Sequence, residues 1–151
     1  MTFDDKAGRL VDYLQIILLE LKGNDKKNES VCQILSPQEI AALRVLCAEG
    51  ALTMSRIAEG LALSLSGVTA LVDKLVEKKL VRRERSAVDR RIVRVEATAE
   101  GKRLNRLAVE GQIHFAQGLL GALNAKEQNT FLALFKKISR EVRAAKEVAA
   151  S

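Results

Sequence analysis

The stretch MSRIAEGLALSLSGVTALVDKLVEKKLVRRERSAVDRRIVRVEATAEG, residues 54–101, decides the fold. Its first part holds two segments with the apolar spacing of amphipathic helices, joined by a short polar turn at Ser64. Its second part holds two alternating, strand-like runs on either side of SAVD at 86–89, a sequence typical of a turn. A helix-turn-helix followed by a hairpin predicts a winged helix. We therefore expect a mainly α-helical fold with a small β-hairpin wing.

Basic charge is concentrated in the same part of the chain. Residues 74–106 contain twelve Lys or Arg and five Asp or Glu, a net charge of +7, whereas the whole chain carries +6. The remaining residues are therefore slightly acidic. Neutralising the phosphates of nucleic acid requires such a local excess of positive charge. The pattern predicts a module that binds double-stranded DNA.

Composition narrows the class of protein further. The 151 residues include no Trp and only 3% aromatic residues, so we expect an aliphatic core. The sequence has no apolar run of the ~18 residues that a membrane span requires, and no pattern of a signal peptide. Cys32 and Cys47 lack the spacing of metal ligands. We expect a reduced, cytoplasmic protein with no cofactor, no metal site and no membrane partner.

Apolar stripes also run through the segments on either side of the winged helix. Ser36-Pro37-Gln38-Glu39 predicts a helix start, so we place the winged helix at 36–100, an N-terminal helix and loop at 1–35, and C-terminal helices at 101–151. The stripes need a partner, and we predict that they join two copies into a homodimer; the alternative is that they cover the winged helix within a monomer. The predicted dimerisation residues are Leu10, Leu14, Ile17, Phe131, Phe135, Ile138 and Val142.

Several motifs resemble the MarR (multiple antibiotic resistance regulator) family of bacterial transcription factors. They are SPQEIAALRVL at 36–46, the helix-turn-helix and wing entry at 52–83, and Asp89-Arg90-Arg91 followed by Thr98 and Gly101. The resemblance implies a triangular homodimer with interleaved terminal helices, bound to a pseudo-palindromic operator. Many members release DNA when a small ligand binds, others respond to cysteine oxidation, and a few respond to zinc. We therefore expect a repressor that a small-molecule inducer releases from its operator.

The second helix of the motif is expected to enter the major groove through its N-terminal half, with Ser64 as its cap and a buried face made by Val68, Leu71, Val72 and Leu75. Its hydroxyl groups can donate to phosphates or base edges, and the Thr69 methyl can meet a thymine methyl. Because it has few long polar side chains, we expect phosphate contacts, apolar groove contacts and DNA shape to dominate. The predicted DNA-contacting residues of this helix are Ser64, Leu65, Ser66, Gly67, Thr69, Ala70 and Lys74.

The wing is expected to contact the backbone and the minor groove through arginine. By resemblance, Arg91 is the minor-groove finger, and Asp89 holds its guanidinium in a bidentate pair. Arginine suits a narrow, negative minor groove better than the more strongly hydrated lysine. The predicted DNA-contacting residues of the wing are Arg82, Arg83, Arg85, Asp89, Arg90 and Arg91.

Other functions leave weaker signals. One alternative is a winged-helix module that binds an acidic protein partner through its basic wing. Another is a redox-responsive regulator that uses Cys32 as its reactive thiol. Cys47 lies in an apolar run and is interpreted as a core residue. His114 is the only histidine, too few for a multi-histidine zinc site. We find no paired-carboxylate, Ser/His/Asp, Cys/His or glycine-rich phosphate motif, so we do not expect an enzyme.

Overall fold

The computed structural model describes residues 1–22, 31 and 33–149, and its architecture is the predicted one: mainly α-helical with a small three-stranded sheet. The elements in chain order are α1 (Phe3–Lys22), α2 (Pro37–Glu49), β1 (Leu52–Thr53), α3 (Met54–Leu61), α4 (Leu65–Glu77), β2 (Val81–Arg85), β3 (Val93–Ala97), α5 (Ala99–Gly121) and α6 (Ala125–Ala149).

Local capping signals fix where the helices begin. At α2, the Ser36 hydroxyl accepts from the Glu39 N–H at 3.2 Å and the Glu39 carboxylate accepts from the Ser36 N–H at 2.7 Å. This is the predicted capping box, with Pro37 at the first helical position. Thr53 caps α3 and Ser64 caps α4 with a single bond each, because each hydroxyl accepts the N–H of the residue three positions later, and the Ser64 cap is the predicted one.

The helix-turn-helix consists of α3 and α4, whose axes differ in direction by 105°. Ala62 takes a left-handed conformation after α3, with φ 51°, and this reverses the chain without a glycine. Helix α4 ends in a similar way, because Lys79 has φ 60° and Leu80 donates its N–H to the Leu75 carbonyl. These two left-handed residues, Ala62 before α4 and Lys79 after it, allow short connections from α3 to α4 and from α4 to the first wing strand.

The sheet places its strands in the order β1–β3–β2, all antiparallel. The hairpin aligns Val81 with Ala97 and Arg83 with Val95, so these residues share the face that contacts the core. Leu52 and Thr53 of β1 lie opposite Val95 and Arg94, so this short segment adds a third, minor strand to the hairpin.

The core is aliphatic, as the composition predicted, and it reaches beyond residues 36–100 at both ends. Val31 and Leu35 are buried on one side and Leu104 and Ala108 on the other. Helix α4 contributes the face that its apolar spacing predicted: Val68, Leu71, Val72 and Leu75. The winged helix therefore depends on the start of α5 for its own packing.

The wing joins α5 at a very close approach between Gly101 and the chain before β2. Thr98 donates its N–H to the Leu80 carbonyl at 3.0 Å and its hydroxyl to the Lys79 carbonyl at 2.9 Å. The Gly101 N–H in turn donates to the Thr98 hydroxyl at 3.1 Å. A Cβ at Gly101 would lie 2.1 Å from the Leu80 carbonyl oxygen, so only glycine fits.

The chain divides into two compact units, Met1–Gln112 and Ile113–Ser151, with the boundary inside α5. In the first unit, α1 leaves apolar side chains exposed on the single chain, among them Leu10, Leu14 and Leu18. In the second unit, α6 does the same with Phe135, Ile138 and Val142.

No single helix in the described ranges is long and apolar enough to cross a membrane. The bent pair of α3 and α4 meets that test by length and composition alone. Its largest apolar side chains, such as Ile57 and Leu75, are buried in the core of the winged helix.

Candidate nucleic-acid interface

The exposed face of α4 carries the residues that the sequence predicted for the major groove. Leu65 is 56% exposed although it is apolar. Ser66, Thr69, Ala70 and Lys74 are exposed with it, and Gly67 is partly exposed. The opposite face of α4, made by Val68, Leu71, Val72 and Leu75, is buried in the core. The core packing therefore holds α4 in place and leaves its other face open to solvent.

The hydroxyl groups on this face are already engaged within the helix. Ser64 accepts from the Gly67 N–H at 3.1 Å and lies 3.2 Å from the Ser66 hydroxyl. Thr69 donates its hydroxyl hydrogen to the Leu65 carbonyl at 2.9 Å. In this arrangement the single hydroxyl hydrogen of Thr69 points to the helix backbone, and its oxygen and methyl group face outward.

The base of the wing holds internal ion pairs. Arg82 bonds to Glu96 across the hairpin and lies 3.2 Å from Glu84. The hydrogen bond to Glu96 and the negative charges of Glu84 and Glu96 raise the pKa of Arg82 above its ordinary value. Arg83, on the opposite face of the strand, reaches Asp73 of α4 at 2.5 Å. Arg83 therefore links the wing to α4.

The tip of the wing is organised by short polar contacts. The Ser86 hydroxyl accepts from the Val88 N–H at 3.3 Å, and the Ser86 N–H donates to the Ile92 carbonyl at 2.8 Å. Asp89 accepts from the Arg91 backbone N–H at 2.9 Å. These contacts shape the turn that carries Arg90 and Arg91.

The expected bidentate pair between Asp89 and the Arg91 guanidinium is not formed. A carboxylate two residues before an N–H closes an Asx turn locally, and this contact shapes the backbone rather than the Arg91 side chain. Arg85, Arg90 and Arg91 form no ion pair with any residue in the described ranges. Their charges are therefore available to phosphates.

A buried ion pair anchors the far end of α4. Glu39 is 3% exposed, and Lys78 donates to its carboxylate at 2.7 Å and to the Ile34 carbonyl at 2.8 Å. Burial alone would raise the pKa of Glu39, but the hydrogen bonds from Lys78 and Ser36 and the Lys78 charge outweigh it and lower the pKa. An open cleft beside this pair is lined by Gln38, Glu39, Ala70, Lys74 and Lys78, among others.

Candidate sensing residues are less informative. Burial raises the pKa of the Cys47 thiol, although Lys102 partly opposes this, so the reactive thiolate is disfavoured. Cys32 lies outside the described residues. His114 is exposed on α5, and no group of three or more His, Cys, Asp or Glu in the described ranges is placed to hold a metal ion.

Sequence reasoning missed three ion-pair contacts at or beside this surface. Asp73 and Glu96 neutralise arginines that were assigned to DNA, and Lys78 holds Glu39 from 39 residues away. The strand alternation offered a signal for Glu96, because it faces Arg82 in the hairpin register. Nothing in the local sequence indicated the Asp73 or Lys78 contacts.

Comparison with known sequences agrees with this architecture. The sequence profile of the MarR family matches residues 35–92, from just before α2 to the wing tip. YpoP of Bacillus subtilis (strain 168), an uncharacterized HTH-type transcriptional regulator, is 32% identical over 114 residues. The match covers 76% of this chain and 81% of YpoP.

Two solved structures illustrate the states known for this fold. The PcaV transcriptional regulator from Streptomyces coelicolor, in complex with its natural ligand, has a TM-score of 0.62 at 23% identity, over 93% of this chain and 96% of PcaV. A MepR variant from S. aureus bound to an oligodeoxyribonucleotide has a TM-score of 0.60 at 24% identity, over 88% of this chain and 97% of MepR. At these identities the likeness concerns the fold alone.

Proposed function

This chain belongs to the MarR family of HTH-type transcriptional regulators, and we propose that it is a homodimeric repressor released from a pseudo-palindromic operator by a small-molecule ligand. Membership makes it a DNA-binding regulator of transcription. The dimer, the operator symmetry, the direction of regulation, the ligand and a cytoplasmic location are the parts that we propose.

One observation supports the DNA-binding mode: within the part of the chain that the structure describes, the wing-tip arginines form no ion pair, and they lie on the hairpin that contacts the exposed helix α4. The Arg83–Asp73 contact joins β2 to α4, so the hairpin and the helix form one continuous surface. We propose that α4 enters the major groove while Arg90 and Arg91 reach the adjacent minor groove. The proposed DNA-binding residues, which either contact DNA or position the residues that do, are Ser64, Leu65, Ser66, Gly67, Thr69, Ala70, Lys74, Arg82, Arg83, Arg85, Asp89, Arg90 and Arg91.

The internal ion pairs divide these arginines into two groups. Arg82 and Arg83 are held by carboxylates, so they position the wing and add little net charge. Arg85, Arg90 and Arg91 supply the charge that displaces counterions from DNA. Asp89 contributes through the turn that it closes and not by touching DNA.

The proposed dimer rests on the apolar faces that a single chain leaves uncovered. An exposed apolar helix face favours association, and DNA sites read by paired helices favour a two-fold axis. On α6 the Phe131 and Phe135 rings lie with centroids 4.4 Å apart, a ready aromatic contact for a partner. The proposed dimerisation residues are Leu10, Leu14, Ile17, Phe131, Phe135, Ile138 and Val142.

The proposed ligand response is supported by family membership and by the ligand-bound PcaV structure of the same fold. We expect the ligand to lower the affinity for the operator by stabilising a dimer conformation in which the two recognition helices no longer match adjacent major grooves.

Selection from a randomised duplex library, followed by a salt titration on the enriched sequence, tests this function. We expect an inverted repeat with half-sites about one helical turn apart. A dimer that neutralises ~6–10 phosphates should lose about 10³–10⁵-fold in affinity between ~50 and ~200 mM salt. Enrichment of no sequence, with weak binding that ignores sequence, would contradict the proposal and favour an acidic protein partner for the wing.

A further inference from the structure

The groove-facing part of α4 presents carbon where recognition helices commonly present hydrogen-bond donors. Leu65 stands at the first position of the helix with more than half of its surface exposed. Ala70 is exposed one and a half turns later, and Gly67 between them has no side chain. This part of the face therefore offers methyl groups to whatever enters it.

The polar side chains of the same face are occupied by internal contacts. Thr69 gives its hydroxyl hydrogen to the Leu65 carbonyl at 2.9 Å, which leaves its methyl group as the part free to contact a base. Ser66 lies 3.2 Å from the capping hydroxyl of Ser64. Asp73 is bound by Arg83 at 2.5 Å, so its carboxylate is compensated before any base approaches.

Base edges in the major groove differ in what they offer to such a surface. Guanine presents two acceptors that call for Arg or Lys, and adenine presents a donor and an acceptor that suit Asn or Gln. Thymine alone presents a C5-methyl group. Between residues 65 and 73 the chain has no Arg, Lys, Asn or Gln, so the first two turns of α4 have no side chain for the bidentate pairs that read guanine or adenine.

We propose that each half-site is read chiefly through the C5-methyl groups of thymines, which pack against Leu65, Ala70 and the methyl group of Thr69. This assignment rests on the proposed function and names the chemistry of its operator. On this proposal the two grooves have different roles. Apolar contacts in the major groove select thymine, and the wing arginines supply affinity at the backbone and in the minor groove. The half-sites should then be rich in thymine where α4 lies.

The size of the effect follows from burying one methyl group. Burial of a CH₂-sized group contributes ~0.8 kcal/mol, which corresponds to a factor of ~4 in affinity. A symmetric dimer meets each position twice, so removing one thymine methyl from both half-sites should weaken binding by ~16-fold. Replacement of deoxythymidine by deoxyuridine removes that methyl and leaves every hydrogen-bonding group of the base in place.

The test begins with the operator selected from the random library. Each thymine in the half-sites is replaced symmetrically by deoxyuridine, and the affinity of the full-length protein is measured at fixed salt. We expect a loss of ~16-fold at one or more positions under α4 and no loss at thymines in the flanks or under the wing, because the C5-methyl group lies in the major groove.

Variants of two exposed residues identify which side chain contacts each thymine methyl group. Leu65→Ala and Thr69→Ser each remove carbon from the helix face, and each should shrink the thymine-to-uracil ratio at its own position towards one. Thr69→Val keeps a methyl group and removes the hydroxyl, so it should keep the ratio. Circular dichroism and thermal melting verify that each variant folds.

The outcomes separate this inference from the function on which it rests. If the protein binds a specific operator but its affinity does not change when thymine is replaced by uracil, the proposed repressor function holds and the proposed recognition of thymine methyl groups is wrong. The same holds if Thr69→Ser keeps the ratio while Thr69→Val loses it, because the hydroxyl then makes the contact. Failure to enrich any sequence overturns both.

Discussion

Replacing Gly101 by Ala should destabilise the protein at the point where the wing joins α5. The added Cβ would lie 2.1 Å from the Leu80 carbonyl oxygen, 3.1 Å from the Leu80 carbonyl carbon and 3.2 Å from the Leu43 Cδ2 atom. Two of these three atoms belong to the backbone, so a change of side-chain rotamer does not relieve the clash. Helix α5 must move away from the chain that precedes β2.

The magnitude follows from what that movement breaks. Restoring an ordinary contact of ~3.5 Å requires a shift of more than ~1 Å, which strains the 3.0 Å hydrogen bond from the Thr98 N–H to the Leu80 carbonyl. Overpacking costs ~1–3 kcal/mol and a weakened hydrogen bond ~0.5–1.5 kcal/mol, while the higher helix propensity of Ala returns ~1 kcal/mol. These terms combine to a net loss of about 2 kcal/mol in the free energy of unfolding.

Urea denaturation at a fixed protein concentration measures this loss, because stability and association are coupled in a dimer. The midpoint of thermal unfolding should fall by ~5–10 °C for a chain of this length. Gly121→Ala is the matched control, since it makes the same substitution in α5 where no atom lies within 4 Å of the added Cβ. A Gly101→Ala protein within ~0.5 kcal/mol of the wild type would refute the reasoning.

Three further perturbations test the interface, the buried ion pair and the dimer. Arg91→Ala should weaken operator binding by ~1–3 kcal/mol without unfolding the protein, and unchanged affinity at physiological salt would remove Arg91 from the site. Glu39→Gln should cost ~1–2 kcal/mol of stability near neutral pH through the weaker contact with Lys78. Because the folded protein lowers the pKa of Glu39 from 4.5, that contribution is present above pH 4.5 and should disappear as the pH falls below it, whereas a deficit that is constant with pH would contradict the assignment. Phe135→Asp should shift sedimentation towards the monomer, and an unchanged dimer would exclude this part of α6 from the contact.

The parts of the fold that depend on neighbouring residues were predictable from the sequence. Ser36 and Ser64 cap their helices through residues three positions later, and the hairpin strands follow from their alternation. Such signals act within one turn of helix or one strand pair, so a single sequence contains all of the information. The order of elements and the position of the recognition surface follow from them.

Contacts between distant residues were not predictable in the same way. Arg83 pairs with Asp73 only because β2 returns beside α4, and Lys78 reaches Glu39 because α4 ends beside the start of α2. Asp89 was predicted to pair with the Arg91 guanidinium but accepts from the Arg91 backbone N–H instead. The short Asp89 carboxylate reaches an amide two residues ahead without having to fix a long, mobile side chain. Which partner a charged residue chooses depends on the assembled fold.

Helix α4 keeps its structural and its recognising residues on separate faces. The residues that hold it in the core are fully packed, whereas Leu65, Thr69 and Ala70 lie exposed on the other face. If α4 reads DNA as proposed, a substitution on that face would change the preferred base with little effect on stability. After a gene duplication, one copy could then acquire a new promoter by single substitutions there, with no compensating change in the core.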